Sequence, residues 1–255
     1  MFAEYLTSGV KAGVVAGLVF GLFVAVAANP LVAYADEVNH GVETTHDHAV
    51  ESGHGDAGHH ESAVSATVTD AVSVLSGWLW AVLLGGVVFG AGYYFLEPAI
   101  PGTGATKSYV LAFAGFVTVS GAPWLVLPPV APGAEQSLSV DARLPLYAGM
   151  MVAGALTCLL SGYAYDRLSA TRGVLPAAAA AAVPFGLLAL APVVAPTNAV
   201  HGALPAALGA GLTGLFVFGQ LLLWVLLAAA HARFAPATTD ARSVAATGPD
   251  AVGAD

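Results

Sequence analysis

Six runs of roughly 20 apolar residues divide this chain, and that length is what an α-helix needs to cross a bilayer. They fall at about 12–35, 74–96, 107–129, 144–165, 174–195 and 207–230. Lipid offers backbone N–H and C=O groups no partner, so a crossing segment must satisfy them within itself. The expected fold is therefore all-α, a polytopic transmembrane helical bundle of about six spans. Composition agrees: charged residues make up 9% of the 255-residue chain, against about 25% in soluble domains. Prolines punctuate three runs. Asn29-Pro30 is expected to break the first, Pro123 and Pro128-Pro129 close the third, and Pro176, Pro184 and Pro192 interrupt the Ala-rich fifth.

Basic residues set the orientation, because they stay on the cytoplasmic side. With six spans and the N-terminus inside, Lys11, Lys107, Arg167, Arg172, Arg233 and Arg242 fall inside and only Arg143 outside. The expected location is the plasma membrane, with both termini cytoplasmic. The first apolar run exceeds the 7–15 residues typical of a signal peptide, which favours a retained helix over cleavage at Ala33-Tyr34-Ala35. Gly9, Gly13, Gly17 and Gly21 share one helix face, and Gly86 and Gly90 echo them in the second span, as small residues do where helices pack closely. Trp78, Trp80, Tyr93, Tyr94, Tyr147, Tyr163 and Tyr165 lie near span ends, like an interfacial aromatic belt.

Residues 36–73 form the one long extramembrane segment, between a first helix at 1–35 and five further helices at 74–234. A tail at 235–255 has no apolar periodicity and reads as disordered. The segment holds His40, His46, His48, His54, His59 and His60, six of the chain's eight histidines. It also holds Asp36, Glu37, Glu43, Asp47, Glu51, Asp56, Glu61 and Asp70, and no Lys or Arg. Imidazole suits Co, Ni, Cu and Zn, and carboxylates add charge for a divalent ion. The expected metal ligands are the six histidines with Asp47 and Asp56, on a chain made flexible by Gly41, Gly53, Gly55 and Gly58. No tightly bound cofactor is expected; the metal is cargo, with Co, Ni or Zn all suited.

Ionisable groups inside spans mark transport routes, and few occur here. Asn29, Asn198 and His201 are the candidate pathway residues; Gln220 is a further intramembrane polar group. Glu97 sits at an inner helix end, and Asp166-Arg167 reads as an interfacial pair. The single Cys158 can form no intrachain disulfide. No phosphate-binding Gly-rich loop and no H-E-x-x-H occur, so no enzyme activity is expected. A net charge of -9 argues against nucleic acid as a partner. Scarce lysine with abundant Ala, Val, Gly and Asp fits a halophilic source.

Several segments resemble the CbtA family of predicted cobalt transporter subunits. The first helix through Asn29-Pro30-Leu31 and Ala35-Asp36-Glu37 is similar to its N-terminus, and the His-rich segment follows in place. Ala114-Gly115-Phe116 through Pro123-Trp124-Leu125-Val126-Leu127-Pro128-Pro129-Val130-Ala131-Pro132-Gly133 resembles its Pro-rich signature. Asp141-Ala142-Arg143 resembles a recurring acidic-x-Arg start to the fourth helix, and Ala191-Pro192 to Pro205 its later Pro-rich loop. Val126 and Leu144 depart from the pattern, where Gly and Gln are expected, and mark a divergent branch. The resemblance implies cobalt uptake linked to cobalamin synthesis, with a small single-span, His-bearing partner, CbtB-like, beside the lipid bilayer. The reading is a divalent-metal uptake subunit that captures its ion at an outer His-rich loop. The alternatives are a metal-sensing or buffering subunit that does not conduct, and a membrane scaffold.

The orientation is testable by thiol labelling in a Cys158→Ala background. Ser52→Cys should react from outside and Ser243→Cys only after the membrane is opened. Labelling of Ser52→Cys from the cytoplasmic side alone would reverse the assignment.

Overall fold

A computed structural model describes residues 2–47, 66–202 and 204–235. Six helical passes run alternately up and down: residues 2–47, 66–99, 105–124, 140–172, 174–194 and 206–234. Cross-pass contacts fix the directions. Tyr5 meets Glu97, Ser108 meets His231, and Tyr147 meets Val119. Five helices are long and apolar enough to cross a membrane. The third pass, 105–124, is shorter than these, 20 residues or about 30 Å, which still matches a hydrocarbon core. Its apolar content is lowered by Thr106, Lys107, Ser108, Thr118 and Ser120.

Two expectations about the first pass are corrected. The helix does not break at Asn29-Pro30. A wide π-turn, Val24–Ala28, precedes them, and the Asn29 N–H bonds the Val24 carbonyl five residues back. The wider turn makes room for the proline ring, which would clash with the carbonyl four residues before it in a regular helix. Nor does the helix stop at residue 35. It continues to Asp47, so the first pass measures roughly 70 Å at about 1.5 Å per residue and extends far beyond a hydrocarbon core of about 30 Å. The second helix likewise starts early, at Ala66, although its candidate membrane span begins at Val74, as expected. Residues 36–47 and 66–73 are therefore helical, while 48–65 lie outside the described residues, as does the tail beyond 235.

The glycine face of the first pass packs against the second pass of the same chain. A Cβ on Gly9 would collide with the backbones of Gly85 and Gly90, and one on Gly13 would sit 2.5 Å from the Ala81 carbonyl oxygen and 2.7 Å from Val82 Cα. Gly86, by contrast, would meet only a Val10 methyl at 3.3 Å. Gly85, not Gly86, is thus the partner residue, because a second wide turn, Gly85–Gly92, alters the periodicity there.

A third wide turn, Val117–Gly121, comes immediately before Pro123. Pro123 has no N–H, so the Val119 carbonyl loses its helix partner. The Tyr147 hydroxyl of the fourth pass donates to that oxygen at 2.6 Å, restoring the bond that lipid could not supply. Tyr147 therefore belongs to the interior rather than the belt, as do Tyr93 and Trp78, which pack on other helices. Trp80 and Tyr163 are exposed, as a belt requires.

Passes one, two, three and six share one core built on Phe89, Tyr93, Leu111, Leu223, Trp224 and Leu227. Passes four and five form a peripheral pair. They join the far half of the third pass through Ala122, Val126 and Met150, with Leu188 and Ala191. Only 6% of the fifth pass's apolar window is buried, so the rest of the chain leaves its surface uncovered. Two loops meet at that end. Pro132-Gly133 makes a turn closed by the Ala134 N–H on the Ala131 carbonyl at 3.2 Å, with Gly133 at φ 75. The positive φ favours glycine. The turn delivers β1 (Glu135–Gln136) to pair antiparallel with β2 (Val200–His201).

Gly9→Ala should lower stability by roughly 1–3 kcal/mol, the usual range for overpacking, and Gly86→Ala far less. Thermal unfolding in detergent measures both; equal shifts would mean that the glycine face does not set the helix spacing.

Candidate functional site

Of the expected metal ligands, the backbone places His40, His46 and Asp47 on the extended end of the first pass. His48, His54, His59, His60 and Asp56 lie outside the described residues. Among the described residues, no group of three or more His, Cys, Asp or Glu side chains is arranged to hold a metal ion. Asn29 lies half-buried just past the first wide turn. Asn198 joins the two loops at the β-paired end: its Nδ2 donates to Gln136 Oε1 at 2.8 Å, and its Oδ1 accepts from the Leu138 N–H at 3.3 Å. His201 pairs opposite Glu135 and is exposed.

Three of the buried polar side chains, Ser108, Ser120 and His231, instead follow the seam between the third and sixth passes, while Ser8, Thr157 and Ser161 lie elsewhere. Gln220, Trp224, Leu227 and His231 are spaced four, three and four residues apart, so they share one face of the sixth pass. Facing them are Ser120, Gly115 and Ser108. Ser120 Oγ lies 3.5 Å from Gln220 Oε1, and Ser108 Oγ lies 2.9 Å from His231 Nδ1. Between these pairs the Trp224 ring lies directly over Gly115, where any Cβ would overlap it. In a regular helix residue 119 would share the face of Ser108 and Gly115. The wide turn at Val117–Gly121 absorbs an extra residue and turns Ser120 onto that face.

His231 is fully buried, with Phe89 and Tyr93 rings 5.1 and 4.7 Å from its own. Its Nε2 is buried and makes no hydrogen bond among the described residues. Phe89 is where the second wide turn acts: the Tyr93 N–H bonds the carbonyls of Val88 and Gly90 and bypasses that of Phe89. One turn beyond Tyr93, Glu97 accepts a 2.7 Å bond from the Tyr5 hydroxyl and lies 3.8 Å from Lys107 Nζ. Lys107 also donates to the Glu97 carbonyl at 3.1 Å. Three helix ends are thus tied together, close to His231 at the end of a fourth. Asp166 and Arg167, expected as a pair, form no ion pair; neighbours in a helix point in different directions.

The seam was only partly legible in the sequence. His231 lies one residue past the last apolar run, where a histidine reads as a helix-end charge complement. Its burial comes from the third pass, whose Ser108 meets it across 123 residues of sequence.

Two segments that carry the family resemblance meet at the opposite end. Pro128 of the Pro-rich stretch and Arg143 of Asp141-Ala142-Arg143 line one cavity of about 350 Å³ with Gln136 and Tyr147. The fold and its buried polar seam define a multi-pass, all-α membrane protein. A family model described as probable cobalt transporter subunit (CbtA) matches residues 2–236. The chain belongs to that family of transporter subunits. No curated protein and no solved structure matches it.

Ser108→Ala strands the buried Nδ1 of His231 and should cost about 1–3 kcal/mol, read as a lowered unfolding temperature in detergent. Adding His231→Leu should recover part of that loss, since no unpaired imidazole remains. A neutral Ser108→Ala would mean that the bond carries no weight.

Proposed function

We propose that this protein takes up cobalt across the plasma membrane, capturing the ion at the His-rich segment 36–73 on the outer side. The family match over residues 2–236 carries this reading. The chemistry of the segment supports it: six imidazoles among eight carboxylates, with no cation to repel a metal. The negative field raises the local cation concentration before any ligand bond forms, and imidazole nitrogen then selects Co, Ni or Zn over Mg or Ca. The helical backbone through Asp47 holds the start of this segment away from the bilayer.

The route through the bundle is the seam from Gln220 and Ser120 to Ser108 and His231. Buried polar side chains are costly in lipid and mark such paths. Conduction requires Trp224 to leave Gly115, which makes Trp224 the gate. The described helix ends that flank the segment, at Asp47 and Ala66, lie toward one end of the bundle and the Tyr5–Glu97–Lys107 cluster at the other. Capture and release therefore occur at opposite ends. A subunit implies a partner, and a small single-span, His-bearing CbtB-like chain is the one we propose. The same closed seam also supports the second reading, a subunit that senses or buffers metal without conducting.

Uptake of labelled cobalt into vesicles, measured against cobalt concentration, separates these readings. Replacing His40, His46, His48, His54, His59 and His60 together with Ala should raise the half-saturating concentration and leave the maximal rate nearly intact. Gln220→Leu or His231→Leu should lower the maximal rate itself. Capture should fail toward about pH 5, because ligating imidazoles must be neutral and an unperturbed histidine titrates near about 6.5. Metal binding by the whole protein without any uptake, with its partner present, would favour the buffering reading.

A further inference from the structure

The peripheral pair of passes leaves a cleft against the core. The fourth pass is pressed onto the third at Gly154, where a Cβ would sit 2.8 Å from Ala122 Cβ and 3.1 Å from Thr118 Cα. Two turns further on the helices have parted. A Cβ on Gly162 would find nothing nearer than the Ala99 carbonyl oxygen at 3.8 Å and Pro101 Cδ at 3.9 Å. The resulting cavity is about 600 Å³. Its walls include Leu96, Ile100, Phe113, Ala114, Cys158 and Phe185.

Three properties decide what fits there. The walls are almost wholly hydrocarbon, so a divalent cation stripped of water would find no replacement ligands and this is not the ion's route. The size is that of a small-molecule pocket, roughly 300–1,000 Å³. An acyl chain, thinner than a helix, fits that size and those walls. Finally, the mouth carries Tyr163, Tyr165, Asp166 and Arg167. Arg167 forms no ion pair among the described residues, and with Arg172 it leaves the end of the fourth pass net positive against Asp166. Basic sites between helices at the interface bind anionic headgroups.

We propose that this cleft binds an anionic phospholipid, with one acyl chain between the third and fourth passes and the phosphate against Arg167. The lipid fills the gap that the core and the peripheral pair leave between them. The site is separate from the seam and does not depend on which ion is carried.

The test is native mass spectrometry of the full-length protein from mixed phosphatidylglycerol and phosphatidylcholine. Wild type should retain phosphatidylglycerol about five-fold over phosphatidylcholine, the effect of one cation at the interface. Arg167→Gln should equalise the two. Gly162→Leu, whose new side chain enters the cleft from an uncrowded backbone, should reduce retention of both while the unfolding temperature stays near wild type. Cys158 lines the cleft, so phosphatidylglycerol should also slow its reaction with an apolar thiol probe. Equal retention of the two lipids by wild type would overturn the proposal, as would an unchanged preference in Arg167→Gln. Protection of Cys158 by a co-purifying protein in lipid-free samples would assign the cleft to a protein instead.

Discussion

Backbone against backbone, the first and second passes touch through Gly9, Gly13, Gly85 and Gly90, and the placement of nearly every other buried group follows. Without a hydrophobic drive between helices in lipid, close packing is what holds them together. That contact fixes the height of the second pass against the first. It brings Tyr5 level with Glu97 and sets Phe89 and Tyr93 where the sixth pass can lay His231 against them. The polar end of the bundle is therefore a consequence of four residues that have no side chains.

The second organising force is the demand of each carbonyl for a donor. Prolines 30 and 123 remove donors, and in both cases a wide turn comes just before. At Pro123 the orphaned carbonyl is met by Tyr147, which fastens the peripheral pair to the core. The same wide turn rotates Ser120 toward Gln220. One proline thus helps to join two helical bodies and to place a polar group in the seam. Cys158 adds a weaker contact of the same kind, its Sγ 3.9 Å from the Ala114 carbonyl.

These features divide the molecule by task. The four-helix core holds the buried polar seam and the ion-paired end, while passes four and five leave their outer apolar faces uncovered by the rest of the chain. The family signature falls where the two bodies meet, since Pro128 and Arg143 line one cavity and Pro132-Gly133 turns the chain into the β-paired loops.

What the sequence determined by itself is the set of properties that depend on residues close together along the chain. Apolar length gave the six passes, since hydrocarbon thickness and helical rise leave no other solution. Composition marked the His-rich segment, and spacing put Gly9, Gly13, Gly17 and Gly21 on one face. The family was recognisable from Asn29-Pro30, the Pro-rich stretch and Asp141-Ala142-Arg143. Tertiary structure alone decided what those elements meet. His231, which lies just past the last apolar run, is buried against Ser108, and Asn198 became a loop tie through Gln136. Asn29-Pro30 read as a break because proline chemistry is local, whereas its remedy, a turn widened by one residue, is a property of the packed helix. The polar seam joins residues 100 and 123 positions apart, and periodicity within one helix cannot say which face of another it will find.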